Sequence, residues 1–140
     1  MNLIDSAAPL SEADLEAFAA RFNHKVPAAL LGFHRRCNGG YLREEGEETD
    51  PSEVDYMTPI SHGDDTIEDG YATLSKGFPH LAGYLPFADD AYGNTFLVSM
   101  QDHDHGRVVL HLLDGDELLD IDDSFEAFIA GIESRLDRAR

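Results

Sequence analysis

Asp89 and Asp90 stand side by side in FADDAYGNTFLVSM (Phe87 to Met100), and His103 and His105 stand two apart in QDHDHG. Adjacent carboxylates could share a proton or a metal. On a continuing strand, however, neighbouring side chains point to opposite faces, which separates them. Where the strand ends, Asp, Gly and Asn serve a tight reversal instead, and that turn is the favoured reading. Asp90 lacks the alternating oxygen ligands and the distal Glu of a calcium loop. His103 and His105 would share a face if the run were a strand, with His111 across the hairpin. Zinc or nickel ligation is therefore geometrically open, while a solvated hairpin tip is preferred. Ser61-His62 and Ser99 sit apart from any triad-like pattern, and no GxSxG, P-loop or GxGxxG motif occurs. No catalytic residue, no metal site and no cofactor is expected.

The elements that must position these residues follow from periodicity. Ser11 and Asp14 form a capping-box pair, and Leu15, Phe18, Ala19 and Phe22 then repeat at helical spacing. NHKVP ends this helix. Pro27 suits the first turn of a second one, PAALLGFHRRC, whose inner face is drawn from Leu30, Leu31, His34 and Cys37. Cys37 is read as a buried structural thiol within that helix. Asn38-Gly39-Gly40 ends it, because glycine accepts a left-handed backbone. YMTPIS is a short strand that Pro59 places at an edge or terminates. DDTIEDGYATLSKG is weakly helical through Ile67, Tyr71 and Leu74, despite Gly70.

YLPFA, NTFLVSM, RVVLHLLD and LLDI read as strands joined by QDHDHG and DGDE turns. A final helix buries Phe125, Phe128, Ile129, Ile132 and Leu136. Asp123 caps it with Glu126 answering, and Arg135, Arg138 and Arg140 suit its negative end. Short links between successive strands predict an antiparallel sheet. The expected fold class is α+β, a central mostly antiparallel sheet flanked by N-terminal helices and a C-terminal helix, in one domain over residues 1–140.

The 140 residues carry a net charge of −18, and the charge is segregated. Residues 44–126 hold twenty-two carboxylates against Lys76 and Arg107, a charge of −20, whereas both ends are near neutral. Such a field repels nucleic acid and anionic membranes and attracts basic partners. Glu44, Glu45, Glu47, Glu48, Asp50, Glu53 and Asp55 lie in a polar loop that reads as exposed. Asp64, Asp65, Glu68 and Asp69 form a second run, and these eleven residues are the candidate partner-binding set. Asp114, Asp116, Glu117, Asp120, Asp122 and Asp123 form a third run. No apolar stretch approaches the ~20 residues of a membrane span. The N-terminus lacks a basic start and an apolar h-region. One cysteine excludes an internal disulfide framework. A cytoplasmic protein is expected.

Four motifs in order resemble the SUKH superfamily. VPAALLGFHRRC followed by NGGYL is similar to its Pro-led helix ending in Asn38, Gly39 and Gly40. GYLPFADDAYGNTFLVSM resembles its central strand–turn–strand, with Asp89, Asp90, Gly93 and Asn94 at the reversal. HGRVVLHLLDG resembles its next strand, and DDSFEAFIAGI its last helix, through Ser124, Phe125 and Phe128. The match spans residues 11–133. The resemblance implies a sheet flanked by helices and a binding domain without catalytic residues. It implies an immunity protein that neutralises a cognate bacterial toxin or, alternatively, a regulatory interaction module of the cell-wall-assembly type. The acidic middle adds the expectation of a basic toxin, a nuclease being the case that carboxylate rows would suit by imitating phosphates.

Overall fold

A computed structural model of the chain describes residues 3–42 and 53–138, with the side chains of 136–138 outside that description. Two helices come first, α1 (Glu12–Arg21) and α2 (Ala28–Arg36), followed by the two-residue strands β1 (Gly40–Tyr41) and β2 (Tyr56–Met57). Helix α3 (Ile67–Gly77) and a single 3-10 turn (Pro79–Leu81) precede β3 (Tyr84–Asp89), β4 (Thr95–Ser99), β5 (Val108–Leu112) and β6 (Glu117–Asp122). Helix α4 (Phe125–Arg138) closes the chain. The described strands form one sheet in the order β1-β2-β3-β4-β5-β6, each pair antiparallel. The protein is thus α+β, with helices before and after an antiparallel sheet, as the short interstrand links require.

Strand periodicity divides the apolar side chains between two faces. Leu85 and Phe87 of β3, Phe96 and Val98 of β4, and Val108 and Leu110 of β5 join α1, α2 and α4 in the main core. Leu97 and Val109 point the other way and join Leu81 under Leu74, Phe78 and Tyr84. Aromatic rings tie α4 to the sheet: Phe87 lies 5.2 Å from Phe125 and 5.5 Å from Phe128, and Phe96 lies 5.3 Å from Phe128. Each contact sits inside the offset and edge-on range that adds about 1 kcal/mol to burial alone. Pro86 stands inside an interior strand, where a missing N–H is normally excluded. The register shifts between Pro86 and Ala88, so Phe87 is a bulge residue whose carbonyl accepts from Thr58 N–H at 2.9 Å.

The capping box of α1 is formed in both directions: Ser11 Oγ accepts from Asp14 N–H, and Asp14 accepts from Ser11 N–H, each at 3.0 Å. Two local expectations need correction. Cys37 lies one residue beyond α2, extended and half-buried, with its Sγ 3.3 Å from Ser6 Oγ. Asn38 and the glycines after it pull the chain out of the helix a residue early. At α4, Ser124 rather than Asp123 is the cap, its Oγ accepting from Ala127 N–H at 3.1 Å. Either residue type can cap, and the register of β6 leaves Ser124 at the turn. The side chain of Leu136 lies outside the described residues.

Asn38, 3% exposed, fastens the segment before α1 to the loop after β2. Its Nδ2 donates to Ala8 O at 3.0 Å and Ile60 O at 2.9 Å, and its Oδ1 accepts from Ile60 N–H at 2.8 Å. Gly39 has φ +78, and a Cβ there would stand 2.6 Å from Met57 O. The backbone passes too closely for any side chain. His34 backs the same loop from α2, its Nε2 2.9 Å from Thr58 O. Burial holds the His34 imidazole below its ordinary pKa and so favours the neutral ring.

Candidate functional site

The turn after β3 shows what the paired carboxylates do. Asp90 is buried, and its Oδ1 accepts from Tyr92 N–H at 2.8 Å and Asn94 N–H at 2.9 Å. Its Oδ2 accepts from Asn94 Nδ2 at 2.8 Å, and its N–H donates to Asn94 O at 3.0 Å. Gly93 supplies the φ of +90 that the reversal needs. With its lone pairs committed to the turn, Asp90 is a structural group.

Asp89 is different. It ends β3, pairs in register with Tyr56 and Thr95, and is pushed up to about 6. Burial is the main cause, and the neighbouring charges of Asp90, Asp65 and Asp55 add to it, against a hydrogen bond with Thr95. The same carboxylates act on Tyr56, whose phenol is raised by burial first and then by Tyr41, Asp65, Asp89 and Asp64. Tyr56 and Tyr41 face one another across β1 and β2 with ring centroids 4.6 Å apart. Tyr41 is exposed. Asp64 and Asp65 are exposed as well. The outcome is a tyrosine pair edged by Asp55, Asp64, Asp65 and Asp89, residues drawn from four separate parts of the chain.

Of the other proposed binding residues, the described ones, Glu53, Glu68 and Asp69, fall elsewhere. Glu44, Glu45, Glu47, Glu48 and Asp50 lie outside the described residues. Glu53 meets Arg135 of α4, Oε1 to Nε at 3.6 Å. Glu68 accepts from Ser61 N–H at 2.9 Å, and Asp69 N–H donates to the Thr66 cap at 3.2 Å. Both acidic residues occupy the first turn of α3, where a negative charge favours the helix dipole. Of the six that are described, Asp55, Asp64 and Asp65 are the ones brought together.

The histidines of QDHDHG are not brought together. The run forms a 3-10 turn (Asp102–Asp104), so the two-residue periodicity of a strand does not apply. His103 Nε2 lies 3.6 Å from Asp104, while His105 Nε2 lies 2.7 Å from Lys25 O. Asp104 is the organising group, accepting from Ser99 Oγ at 2.5 Å and from Tyr84 OH at 3.3 Å. His111 is buried on β5, and its Nε2 donates to Asp116 at 2.6 Å. His80 reaches the other oxygen of Asp116 at 3.0 Å. Asp116 therefore bridges two imidazoles and is held below the usual carboxylate range, first by His111 and also by His80. Among the described residues no group of three His, Cys, Asp or Glu side chains is arranged to hold a metal ion.

Two features escaped sequence reasoning. The Tyr41–Tyr56 pair joins residues on either side of the acidic loop, and only the β1–β2 pairing reveals it. The second is the exposure of β6. Leu113, Leu118, Leu119 and Ile121 are 59%, 41%, 43% and 38% exposed. The adjacent leucines of LLDI could have signalled that neither face of this strand is cleanly polar.

A cleft of about 330 Å³ opens between α2 and α4, with Phe33, Phe125 and Ile129 at its floor and Arg36, Glu126 and Glu133 at its rim. No described helix is long and apolar enough to cross a membrane. Comparison with curated proteins and with solved structures finds no match. A family model does match, that of the SMI1 / KNR4 family (SUKH-1), over residues 9–131. Its members are generally immunity or regulatory proteins rather than enzymes. The match runs from before α1 into α4 and takes in every described strand, so the chain belongs to the SMI1 / KNR4 (SUKH-1) family.

Proposed function

We propose that this chain is a cytoplasmic immunity protein that binds a basic bacterial toxin domain and blocks its active site or substrate path. The observation that carries the reading is the tyrosine pair edged by Asp55, Asp64, Asp65 and Asp89. Exposed tyrosine supplies rigid contact area, and clustered carboxylates attract Lys and Arg, the combination that suits a cationic protein surface. The charge of −20 over residues 44–126 extends the attraction beyond contact range and speeds encounter. The raised Asp89 carboxyl fits the same picture, since a nearby cation would favour its ionised form. A nuclease is the toxin class most suited to such a surface, because its cleft is already shaped for phosphates.

A second reading is a regulatory interaction module of the cell-wall-assembly type without a toxin, in keeping with membership of the same family. Co-expression separates the two. The toxin to use is a variable C-terminal domain of a large secreted protein, sought first in the reading frames beside this gene. The expected result is growth restored from that toxin and not from unrelated ones. Growth arrest in the presence of the abundant, folded chain would overturn the immunity reading.

A further inference from the structure

Strand β6 ends the sheet. Among the described residues it pairs with β5 alone, so alternate backbone N–H and C=O groups along its outer side have no strand beside them. Residues directly opposite one another in an antiparallel pair share a face. Leu119 lies opposite Leu110 and continues the main core face, and Leu118 lies opposite His111 and continues the second face. Both faces thus run out at half-exposed leucines. Each leucine is flanked by acid: Glu117 opposite Leu112 and Asp122 opposite Val108 on one face, Asp120 opposite Val109 on the other.

Natural edge strands are guarded by charged side chains, lysine above all, by proline, by bulges or by shortness, and β6 has acid and one register shift. Between Leu113 and Asp123 there is no Lys, Arg or Pro, and six of the eleven residues are Asp or Glu. Among the described residues Arg107 meets this strand, its guanidinium 3.5 Å from Asp120 at an exposed position. Those carboxylates decide which strand can be added. A second copy of the chain paired about the centre of β6 would set Glu117 directly against Asp122 twice, and like charges opposite one another destabilise a pair. A strand with apolar residues at its middle and Lys or Arg on both sides would meet the leucines and acids together.

We propose that β6 is a docking edge that accepts a basic, apolar-centred strand from a protein partner by strand addition. Main-chain hydrogen bonds would supply the affinity and the Glu117, Asp120 and Asp122 side chains the choice of partner. The surface lies at the opposite end of the sheet from the tyrosine pair, so it stands or falls apart from the immunity reading.

The test uses the whole chain and the peptide acetyl-Thr-Thr-Lys-Lys-Val-Val-Lys-Thr-amide, which, antiparallel and with Ile121 left over at the register shift, places lysines against the three acids. Two versions are N-methylated at alternate residues, out of phase with each other, and a third carries Glu for Lys. The expected result is that the plain peptide shifts the amide resonances of residues 117–122 and slows their hydrogen exchange. One methylated version should then lose affinity about tenfold or more while the other keeps it, because one edge of a strand faces its neighbour. The Glu version should not bind. The Asp120→Lys/Asp122→Lys protein should lose affinity for the plain peptide by a similar factor at unchanged thermal stability. Equal binding by both methylated versions, or shifts centred away from β6, would overturn the proposal, since charge alone would then explain the contact.

Discussion

At the β1 edge the strands are two residues long, and the segment before α1 adds a further rung through the antiparallel bridge between Ile4 and Tyr41. At the β6 edge six residues run in line, five of them exposed, with no strand beyond them among the described residues. The first edge is tied by Asn38 and by a glycine pair whose positive φ lets the backbones approach closely. Burial there, with the neighbouring carboxylates adding to it, pushes Asp89 up to about 6. The second edge carries as much acid but spreads it along an open strand, and Asp116 there is pulled down, not up, because two histidines face it. Like charge therefore acts differently at the two ends. It adds to the cost of burying a carboxylate where the strands are closed and selects against self-pairing where they are open.

The comparison can be broken most strongly at Asn38. Asn38→Ala should cost about 3 kcal/mol, because Ile60 N–H and two carbonyls lose a buried partner and a small cavity remains. Thermal unfolding would report this as a lower midpoint. An unchanged midpoint would mean that the β1 edge does not depend on this tie.

Asp89→Asn tests the cost of that buried charge. The folded pKa is about 6 against an unfolded reference of 3.8, so the folded state binds the extra proton between those values. Wild-type stability should accordingly rise as the pH falls from 7 towards 4, as far as this residue contributes. The Asn variant should be more stable than wild type by about 2 kcal/mol at pH 8, with the gain vanishing near pH 4. A pH-independent difference, or a loss at pH 8, would contradict the assignment.

Asp55→Lys/Asp64→Lys/Asp65→Lys addresses recognition. Association with a basic toxin domain should slow about tenfold at low salt, with a smaller change at high salt. Identical rates for variant and wild type would move the interface away from the tyrosine pair. The smallest effect is expected at neither edge. Lys25 Nζ lies 3.1 Å from Asp102 in an exposed pair, and Lys25→Ala should change stability by about 0.5 kcal/mol or less. Urea unfolding of this variant sets the scale against which the other changes are read.

What the sequence made legible was local. Ser11 and Asp14 are three residues apart, and the chemistry of a capping box needs nothing further. The reversal at Gly93 and Asn94 likewise lies within five residues of the carboxylate that organises it. The antiparallel arrangement followed from links too short for crossovers. Cys37 and Ser124 show the limit at element ends, where one residue of shift changes a buried thiol into a half-exposed one and moves a cap. Asp55, Asp64, Asp65 and Asp89 are spread over 35 positions, and their meeting depends on β2 pairing with β3. The isolation of β6 is also a property of strand order, which no single segment encodes. His80 and His111 converge on Asp116 only because the 3-10 turn packs beside the β5–β6 reversal.

The most direct measurement is the association rate constant between the purified chain and a basic toxin domain from which it protects cells in co-expression, taken at low and at high ionic strength. The account predicts fast association that slows by about tenfold or more as salt rises, while the dissociation rate changes little. An association rate that ignores salt, or no complex at all, would contradict it.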